Sequence, residues 1–370
     1  NIHKSITAGI ILSGAIPIYM EPEIDEFLSI SHGISLKTVK DSLEKHKDVK
    51  AVLIINPTYY GVATDIKNIV EVVHSYNIPL LVDEAHGPHL IFNKKLPVGA
   101  MEAGADICAQ STHKITSALT QGSFLHVNSK YINPNKVRQV LNLLQTTSPS
   151  YIILASLDCT RKQLALNGKE LIDKSIELSN YARNEINKID GLYCFGEELK
   201  NGQGFHAFDP TKITINCRRL GISGYELENI LSEKYFVQLE MADTFNGIAV
   251  GSYGDTKKSI DDLINSLKDI SLNHRVKKSN DIRINLPKIP KQIVSPREAF
   301  QANKISIPLK ESSNKISGEF LLAYPPGIPI LCPGEIITNE IIEYVEHMKS
   351  IGLFVQGTED PKVNNIKVLM

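Results

Sequence analysis

The chain has 370 residues, with 40 lysines and arginines against 41 aspartates and glutamates, so its net charge is −1 at pH 7. A near-neutral chain gives no electrostatic reason to expect nucleic acid or a membrane surface as a partner. The content of 42% hydrophobic and 22% charged residues is ordinary for a globular protein. No apolar run reaches the roughly 20 residues that span a bilayer. The length permits a substantial core and more than one domain.

The cysteines and the first residues indicate a cellular compartment and a chain boundary. The five cysteines are widely spread and form no CxxC pair, so we expect reduced thiols and a cytoplasmic protein. The chain begins at Asn1 rather than Met, and no basic region with a cleavage site follows, so a signal peptide is not expected. We expect an N-terminally truncated fragment that begins inside a domain.

The first part of the chain alternates between strand and helix signals. Runs that are apolar throughout predict strands over 16–20, 51–55, 78–82, 105–109 and 123–127. Ser35 and Asp65 are predicted N-caps of amphipathic helices over 36–46 and 66–76. Apolar strands separated by amphipathic helices indicate an α/β fold, in which a mainly parallel sheet is covered by helices on both faces.

The pattern changes along the rest of the chain. Helices are predicted over 134–144, 151–166 and 170–189. A smaller α+β unit follows, with strands over 212–217, 237–241 and 248–252 and helices over 225–233 and 257–270. Residues 271–290 are predicted to be a linker, and a proline-rich stretch and a helix over 337–348 belong to a last unit. We expect a large domain over 1–165, a smaller α+β unit over 166–275 and a C-terminal α+β domain over 286–370.

Polar residues follow two of the predicted strands. Asp83 ends one strand, and Ser111, His113 and Lys114 follow the next. Ligands of such sheets bind beyond the C-terminal ends of the strands. An acid and a lysine in these places suit pyridoxal phosphate (PLP), because the lysine binds the cofactor as a Schiff base and the acid keeps the pyridine nitrogen protonated.

Simpler interpretations exist for each of these residues. A single lysine after a strand is usually a solvated surface group, and Asp83 by itself could cap a helix; the combination favours a site. His86 and His89 could bind a metal if they lay on a helix, but Gly87-Pro88 breaks a helix there. We therefore expect no metal site, a pocket-lining role for His86 and a structural role for His89.

Several segments together resemble a known family. In chain order they are His3-Lys4-Ser5, the stretch from Asp83 to His89, Gln110-Ser111-Thr112-His113-Lys114, Gln121-Gly122, Thr146-Thr147-Ser148-Pro149 and the stretch from Tyr324 to Pro329. They resemble the bacterial Orn/Lys/Arg decarboxylases, which have the aspartate-aminotransferase-type fold (PLP fold type I), and in particular the shorter, Gram-positive-type arginine/lysine decarboxylases. The match extends from residue 1 to about residue 355.

The resemblance implies a role for each matched residue. Lys114 would carry PLP, Asp83 would pair with the pyridine nitrogen, and His3 would stack on the ring. The cofactor phosphate would be contacted by Ser111, by His113 and, from the neighbouring subunit of a homodimer, by Thr146. Ala85 and His86 would also contact the cofactor. The glycine/serine phosphate loop of the family would precede residue 1. The turn over 56–61 would border the site.

The implied activity is decarboxylation of arginine, lysine or ornithine to the amine and CO2, which serves polyamine metabolism. Glu335 is a candidate for binding the distal cation of such a substrate, or an acid that favours the start of the following helix. Lys114 or His113 could return the proton to Cα. Two alternatives stay open: an aminotransferase or eliminase of the same fold, and a truncated copy without activity.

Overall fold

A computed structural model describes residues 2–274, 287–324, 328–350 and 354–370. The chain forms two compact units. Residues 20–280 form one unit, and residues 1–19 together with 281–370 form the other. No described helix is both long enough and apolar enough to cross a membrane.

Helices and strands alternate along much of the described chain. The α-helices are α1 (Lys4–Ser13), α2 (Leu36–Lys45), α3 (Ile66–Ser75), α4 (Ala100–Ala103), α5 (Thr112–Ile115), α6 (Pro134–Leu144), α7 (Tyr151–Ile186), α8 (Gly224–Tyr235), α9 (Lys257–Asn273), α10 (Pro296–Gln301) and α11 (Asn339–Ser350). The strands are β1 (Ile24–Asp25), β2 (Ile30–Ser31), β3 (Val52–Ile55), β4 (Val62–Ala63), β5 (Leu80–Asp83), β6 (Ile107–Gln110), β7 (Phe124–Val127), β8 (Tyr193–Cys194), β9 (Ala207–Phe208), β10 (Lys212–Asn216), β11 (Met241–Ala242), β12 (Asn246–Val250), β13 (Lys304–Pro308), β14 (Leu321–Tyr324), β15 (Ile328–Leu331), β16 (Phe354–Gln356) and β17 (Asn365–Leu369).

A four-stranded sheet in the unit of residues 20–280 carries the predicted parallel strands. Its order is β3-β5-β6-β7; β3, β5 and β6 are parallel, and β7 is antiparallel to β6. The predicted caps of the flanking helices are confirmed, since Ser35 Oγ accepts from Thr38 N at 3.1 Å and Asp65 Oδ1 from Asn68 N at 3.5 Å. Apolar side chains of α2 and α3 pack on the strands, and the mainly parallel α/β fold is confirmed.

A second, antiparallel sheet of the same unit has the order β11-β12-β10-β8. Its core is shared with α7, α8 and α9 and contains fully buried residues such as Ile215, Leu227 and Leu267. Arg183 on α7 joins the helix to this sheet, because its guanidinium donates to the backbone oxygens of Phe195, Pro210 and Lys212. These contacts hold the first residue of β10 in place.

Several sequence-based boundaries were wrong. Residues 16–20 contain no strand, and 237–241 contributes only the start of the two-residue strand β11. The helices predicted over 151–166 and 170–189 are one helix, α7. The helix continues through Gly168. A Cβ there would lie 2.9 Å from the Phe92 ring, so the glycine permits close packing and does not form a turn. The predicted linker over 271–290 lies largely outside the described residues, and its first three residues end α9.

The other unit contains α1, α10 and the C-terminal strands. Arg297 on α10 donates through Nε to Ile11 O of α1 at 2.9 Å. β13 pairs antiparallel with β17, and β14 lies between β15 and β16. Within the proline-rich stretch, residues 325–327 lie outside the described residues. The three-domain division stays a prediction; α7 continues through its proposed boundary at residue 165.

Candidate active site

The C-terminal ends of β5 and β6 bring Asp83 and Lys114 to one edge of the sheet. The strands are parallel, with Asp83 opposite Ala109, so both chains leave the sheet on the same side. After β6, Ser111 precedes the one-turn helix α5, and Lys114 N donates to Ser111 O at 3.1 Å. This tight turn explains why a lysine that follows a buried strand returns to the sheet edge.

Lys114 is partly buried among aromatic rings. Its Nζ lies 3.2 Å from His86 Nε2 and 5.4 Å from the centroid of the Tyr59 ring. Burial lowers the pKa of Lys114 and the nearby Lys212 lowers it further, whereas Asp83 and Glu240 act in the opposite direction. The neutral amine, which is the nucleophilic form, is therefore easier to reach than in a solvated lysine.

His86 connects Lys114 to the turn that follows β5. Its ring centroid lies 4.3 Å from that of Tyr59, and 5% of the residue is exposed. Burial, Lys212 and Lys114 hold the pKa of His86 well below its usual value, so the ring is neutral. Within the described residues, His86 Nδ1 is buried without a hydrogen-bond partner. Such an atom is costly unless a ligand or water satisfies it.

A buried carboxylate fixes the turn that carries Asp83. Asp83 Oδ1 accepts from Ala85 N at 3.1 Å, and the next residue, Glu84, is 1% exposed. Glu84 accepts from Ala100 N and from Gln110 Nε2, each at 2.6 Å. Burial raises the pKa of Glu84 to about 7. Sequence reasoning missed this role; an acid directly after a buried strand, one residue beyond Asp83, was the available signal.

The residues predicted to contact phosphate lie in two places. Ser111 is the N-cap of α5, yet its side chain makes no capping hydrogen bond. His113 is on the same turn as Lys114, and its pKa is lowered by burial and by Lys114. Thr146 lies in the exposed connection between α6 and α7, where its Oγ1 accepts from Ser148 N at 3.1 Å. Its role stays a prediction.

His3 and Glu335 belong to the unit of residues 1–19 and 281–370. His3 is the N-cap of α1, and its Nδ1 accepts from Ser5 N at 3.3 Å. Glu335 is 2% exposed, and its Oε2 accepts from Cys332 N at 2.7 Å. Glu335 thus closes the turn after β15, and α11 begins four residues later at Asn339. Their proposed contacts with cofactor and substrate stay predictions.

The stability of the protein should depend on the protonation of Glu335. Burial raises its pKa from 4.5 to about 7, so folding favours the protonated form. This stabilisation is complete below the unfolded pKa and is lost as the pH rises through 7. Glutamine does not titrate and therefore keeps its stability across this range. When the pH is raised from 5 to 8, the free energy of unfolding of Glu335→Gln should thus increase by about 2 kcal/mol relative to that of wild type.

Urea denaturation at both pH values measures this difference. The exposed Glu340 provides the control, Glu340→Gln, for the general effect of replacing a glutamate. An E335Q effect of the same size at pH 5 and pH 8 would contradict a protonated Glu335 in the folded state.

No pattern in the sequence indicated that two further titratable residues, Lys212 and Glu240, lie near Lys114. Lys212 begins β10, and its side chain is 0% exposed. Glu240 directly precedes β11; burial raises its pKa, and Lys114 and Lys212 oppose the rise. Both come from the second sheet, more than 90 residues after Lys114, so only folding brings these charges together.

Comparisons with known proteins identify the family of this chain. Residues 1–259 match the family model described as the Orn/Lys/Arg decarboxylase major domain, and residues 282–358 match the model of its C-terminal domain. The chain belongs to the Orn/Lys/Arg decarboxylase family. The resemblance predicted from the sequence segments is therefore confirmed, as is membership of a family of PLP-dependent amino-acid decarboxylases.

Relatives within and beyond the Orn/Lys/Arg decarboxylase family support the fold. An arginine decarboxylase of Bacillus subtilis is 44% identical over 371 residues, which cover the whole chain and 76% of that relative. The solved lysine decarboxylase LdcF of Francisella novicida superposes with a TM-score of 0.82 at 23% identity. The superposition covers all of this chain and 65% of that chain, which is slightly less than two thirds. Ureidoglycine-glyoxylate aminotransferase of B. subtilis superposes with a TM-score of 0.51 at 16% identity, over 67% of this chain and 66% of that one.

Proposed function

We propose that the protein is a cytoplasmic, PLP-dependent decarboxylase that converts arginine, lysine or ornithine to the corresponding amine and CO2, for polyamine metabolism. The observation that carries the proposal is Lys114: a partly buried amine beside His86, on the same sheet edge as Asp83. The name of the B. subtilis relative, arginine decarboxylase, supports a basic amino acid as substrate.

The residues at this edge suit PLP chemically. Lys114 has a lowered pKa and can form a covalent bond to an aldehyde. His86 Nδ1 is a buried polar atom that lacks a partner in the described residues. Asp83 supplies a carboxylate for the pyridine nitrogen, and Ser111 and His113 supply groups for phosphate. We propose that these residues and Ala85 hold the cofactor, with His3 on its ring and Thr146 from the neighbouring subunit.

Bound PLP would supply an electron sink for the charge left on Cα when CO2 departs. The protein has three tasks in this reaction. Asp83 would keep the pyridine nitrogen of a bound cofactor protonated, because a carboxylate stabilises the cationic form. Neutral His86 contacts the amine of Lys114 without adding charge. Lys114 or His113 returns a proton to Cα, since both lie on α5 at the sheet edge.

The distal cation of the substrate requires an acidic partner. Glu335 is the candidate from the sequence, and its burial and its bond to Cys332 N give it a structural role as well. The structure favours a second candidate, Glu240, because its charge interacts with both Lys114 and Lys212. Glu240→Gln should therefore raise the KM for the basic substrate more than Glu335→Gln does.

We propose a homodimer as the functional form. Helix α6 contains no buried residue, and its apolar Leu143 is 83% exposed. At the start of α7, Tyr151 and Ile152 are 81% and 72% exposed. A cluster of large apolar side chains is typical of a protein interface. Thr146 lies between the two helices, as a residue that reaches a neighbouring subunit would.

Two measurements on the full-length protein test the function. The first is product analysis with arginine, lysine and ornithine: CO2 and an amine support the proposal, whereas a keto acid indicates an aminotransferase. The second is borohydride reduction of the PLP-loaded protein followed by peptide mass analysis, which should label Lys114. A label on another lysine would refute the assignment, and a colourless protein without product would indicate an inactive copy.

A further inference from the structure

A buried ionic cluster, formed by His89, Asp209, Thr211 and Lys212, has no role in the proposed chemistry. The side chains of His89, Asp209 and Lys212 are all 0% exposed. Lys212 Nζ donates to Asp209 Oδ2 at 3.3 Å, and His89 Nε2 lies 3.0 Å from the same oxygen. Thr211 donates to Asp209 Oδ1 through Oγ1 at 2.7 Å and through N at 3.0 Å. The donors converge on one carboxylate.

The hydrogen bonds indicate that Asp209 is ionised and forms a salt bridge with Lys212. Burial raises the pKa of Asp209, but Lys212 and His89 outweigh burial and hold the pKa below its usual value. A buried charge is tolerated only when it is paired and hydrogen-bonded. The partners of Lys212 therefore fix its amine in the interior, out of contact with water.

Two segments connect this cluster to Lys114. In the turn after β5, His86 contacts Lys114, and three residues later His89 contacts Asp209. In the turn after β3, the Tyr59 ring contacts both His86 and Lys114.

The turn after β3 then reaches Lys212 itself. Gly61 has φ +83°, and a Cβ there would lie 2.9 Å from Lys212 Cβ and Cγ and 2.8 Å from Asp209 O. The stem of Lys212 thus packs on the backbone two residues beyond Tyr59. A side chain at residue 61 would displace it.

Lys114 therefore sits in the field of several charged or titratable groups from different elements: Asp83 at the end of β5, His86 after β5, His113 on α5, Lys212 on β10 and Glu240 before β11. Asp83 and Glu240 favour a charged Lys114, whereas Lys212 opposes it. Because Lys212 is excluded from water, its charge acts through a medium of low dielectric constant and is little screened by salt.

We propose that Lys212 is a positioning residue of this site: a buried ammonium, fixed by Asp209 and His89, whose charge repels a proton from the pair His86 and Lys114. Asp83 and Glu240 raise the pKa of Lys114, whereas burial, the largest cause, lowers it. Lys212 acts in the same direction as burial and counterbalances the two carboxylates. The inference rests on the proposed function only in taking Lys114 as the reactive amine.

The test measures the protonation of Lys114 directly. Full-length protein freed of cofactor is methylated reductively with formaldehyde across a range of pH, and peptide mass analysis follows the Lys114 peptide. This reaction labels neutral amines. In K212M we expect the midpoint of Lys114 labelling to rise by about one pH unit, so that labelling below the midpoint falls about tenfold.

Matched variants separate charge from packing. K212M removes the cation that neutralises the buried Asp209, which can impair folding, so the double variant D209N/K212M removes both charges and should also raise the midpoint. K212R retains the cation and should keep the midpoint near that of wild type. In the PLP-loaded protein, the pH midpoint of the visible absorption band should move in the same order. Exposed Lys50 is the internal control, with the same midpoint in every variant.

Two outcomes would overturn the proposal. One is an unchanged Lys114 midpoint in the double variant. The other is a K212R midpoint that rises as far as that of the neutral variants, because packing would then be the cause. Failure of the proposed function would look different from failure of this proposal. In the first case borohydride would label a lysine other than Lys114. The methylation titration instead measures the protonation of Lys114, whichever reaction the protein catalyses.

Discussion

Lys114→Arg should reduce decarboxylation by about a thousandfold or more, because the variant loses the covalent and proton-transfer roles of the amine. Arginine keeps much of the length of lysine, but its guanidinium stays protonated at any working pH and cannot bond to an aldehyde. The contact with neutral His86 would then carry a permanent charge. Steady-state assays and the visible spectrum measure both losses.

Lys50→Arg is the matched control, because Lys50 is exposed and precedes β3 at the opposite end of the same sheet. It should leave the activity unchanged. A K114R variant that keeps the yellow colour after gel filtration and more than a tenth of the activity would exclude Lys114 as the cofactor lysine.

Asp83→Asn should lower kcat by about 10²- to 10³-fold, the range found when a single group that stabilises reaction charge is removed. The amide has nearly the same shape, and its oxygen can still accept from Ala85 N. It lacks the negative charge that keeps a pyridine nitrogen protonated. Binding of PLP should weaken far less than kcat falls, which equilibrium dialysis can measure.

Asp106→Asn provides the comparison, since Asp106 is a buried aspartate at the start of β6, at the other edge of the sheet. Asp106 accepts from Leu80 N at 2.8 Å and pairs with His74 at 2.9 Å, so its loss should reduce stability. The activity per folded molecule should stay near wild type. Equal losses of kcat in D83N and D106N would assign Asp83 a structural role only.

Local patterns in the chain predicted much of the fold around the site. Continuous apolar runs predicted β3, β5, β6 and β7, and Ser35 and Asp65 marked the starts of α2 and α3, because capping and side-chain periodicity act over a few residues. The same local reasoning ended one helix at residue 166 and began another at residue 170, whereas α7 is continuous. Between these positions Gly168 packs against Phe92, a contact with a distant segment that local patterns do not show.

The sequence by itself determined the family and predicted that Asp83 and Lys114 lie at one edge of the sheet, because strand ends, spacing and motif are properties of contiguous stretches. Only the tertiary structure showed which titratable groups surround Lys114: neutral His86, the buried Lys212 and Glu240. The physical reason is that burial and Coulomb interactions depend on distance in space. Lys212 lies 98 residues after Lys114 in the chain (212 − 114), and no local pattern predicts that the two amines share one interior.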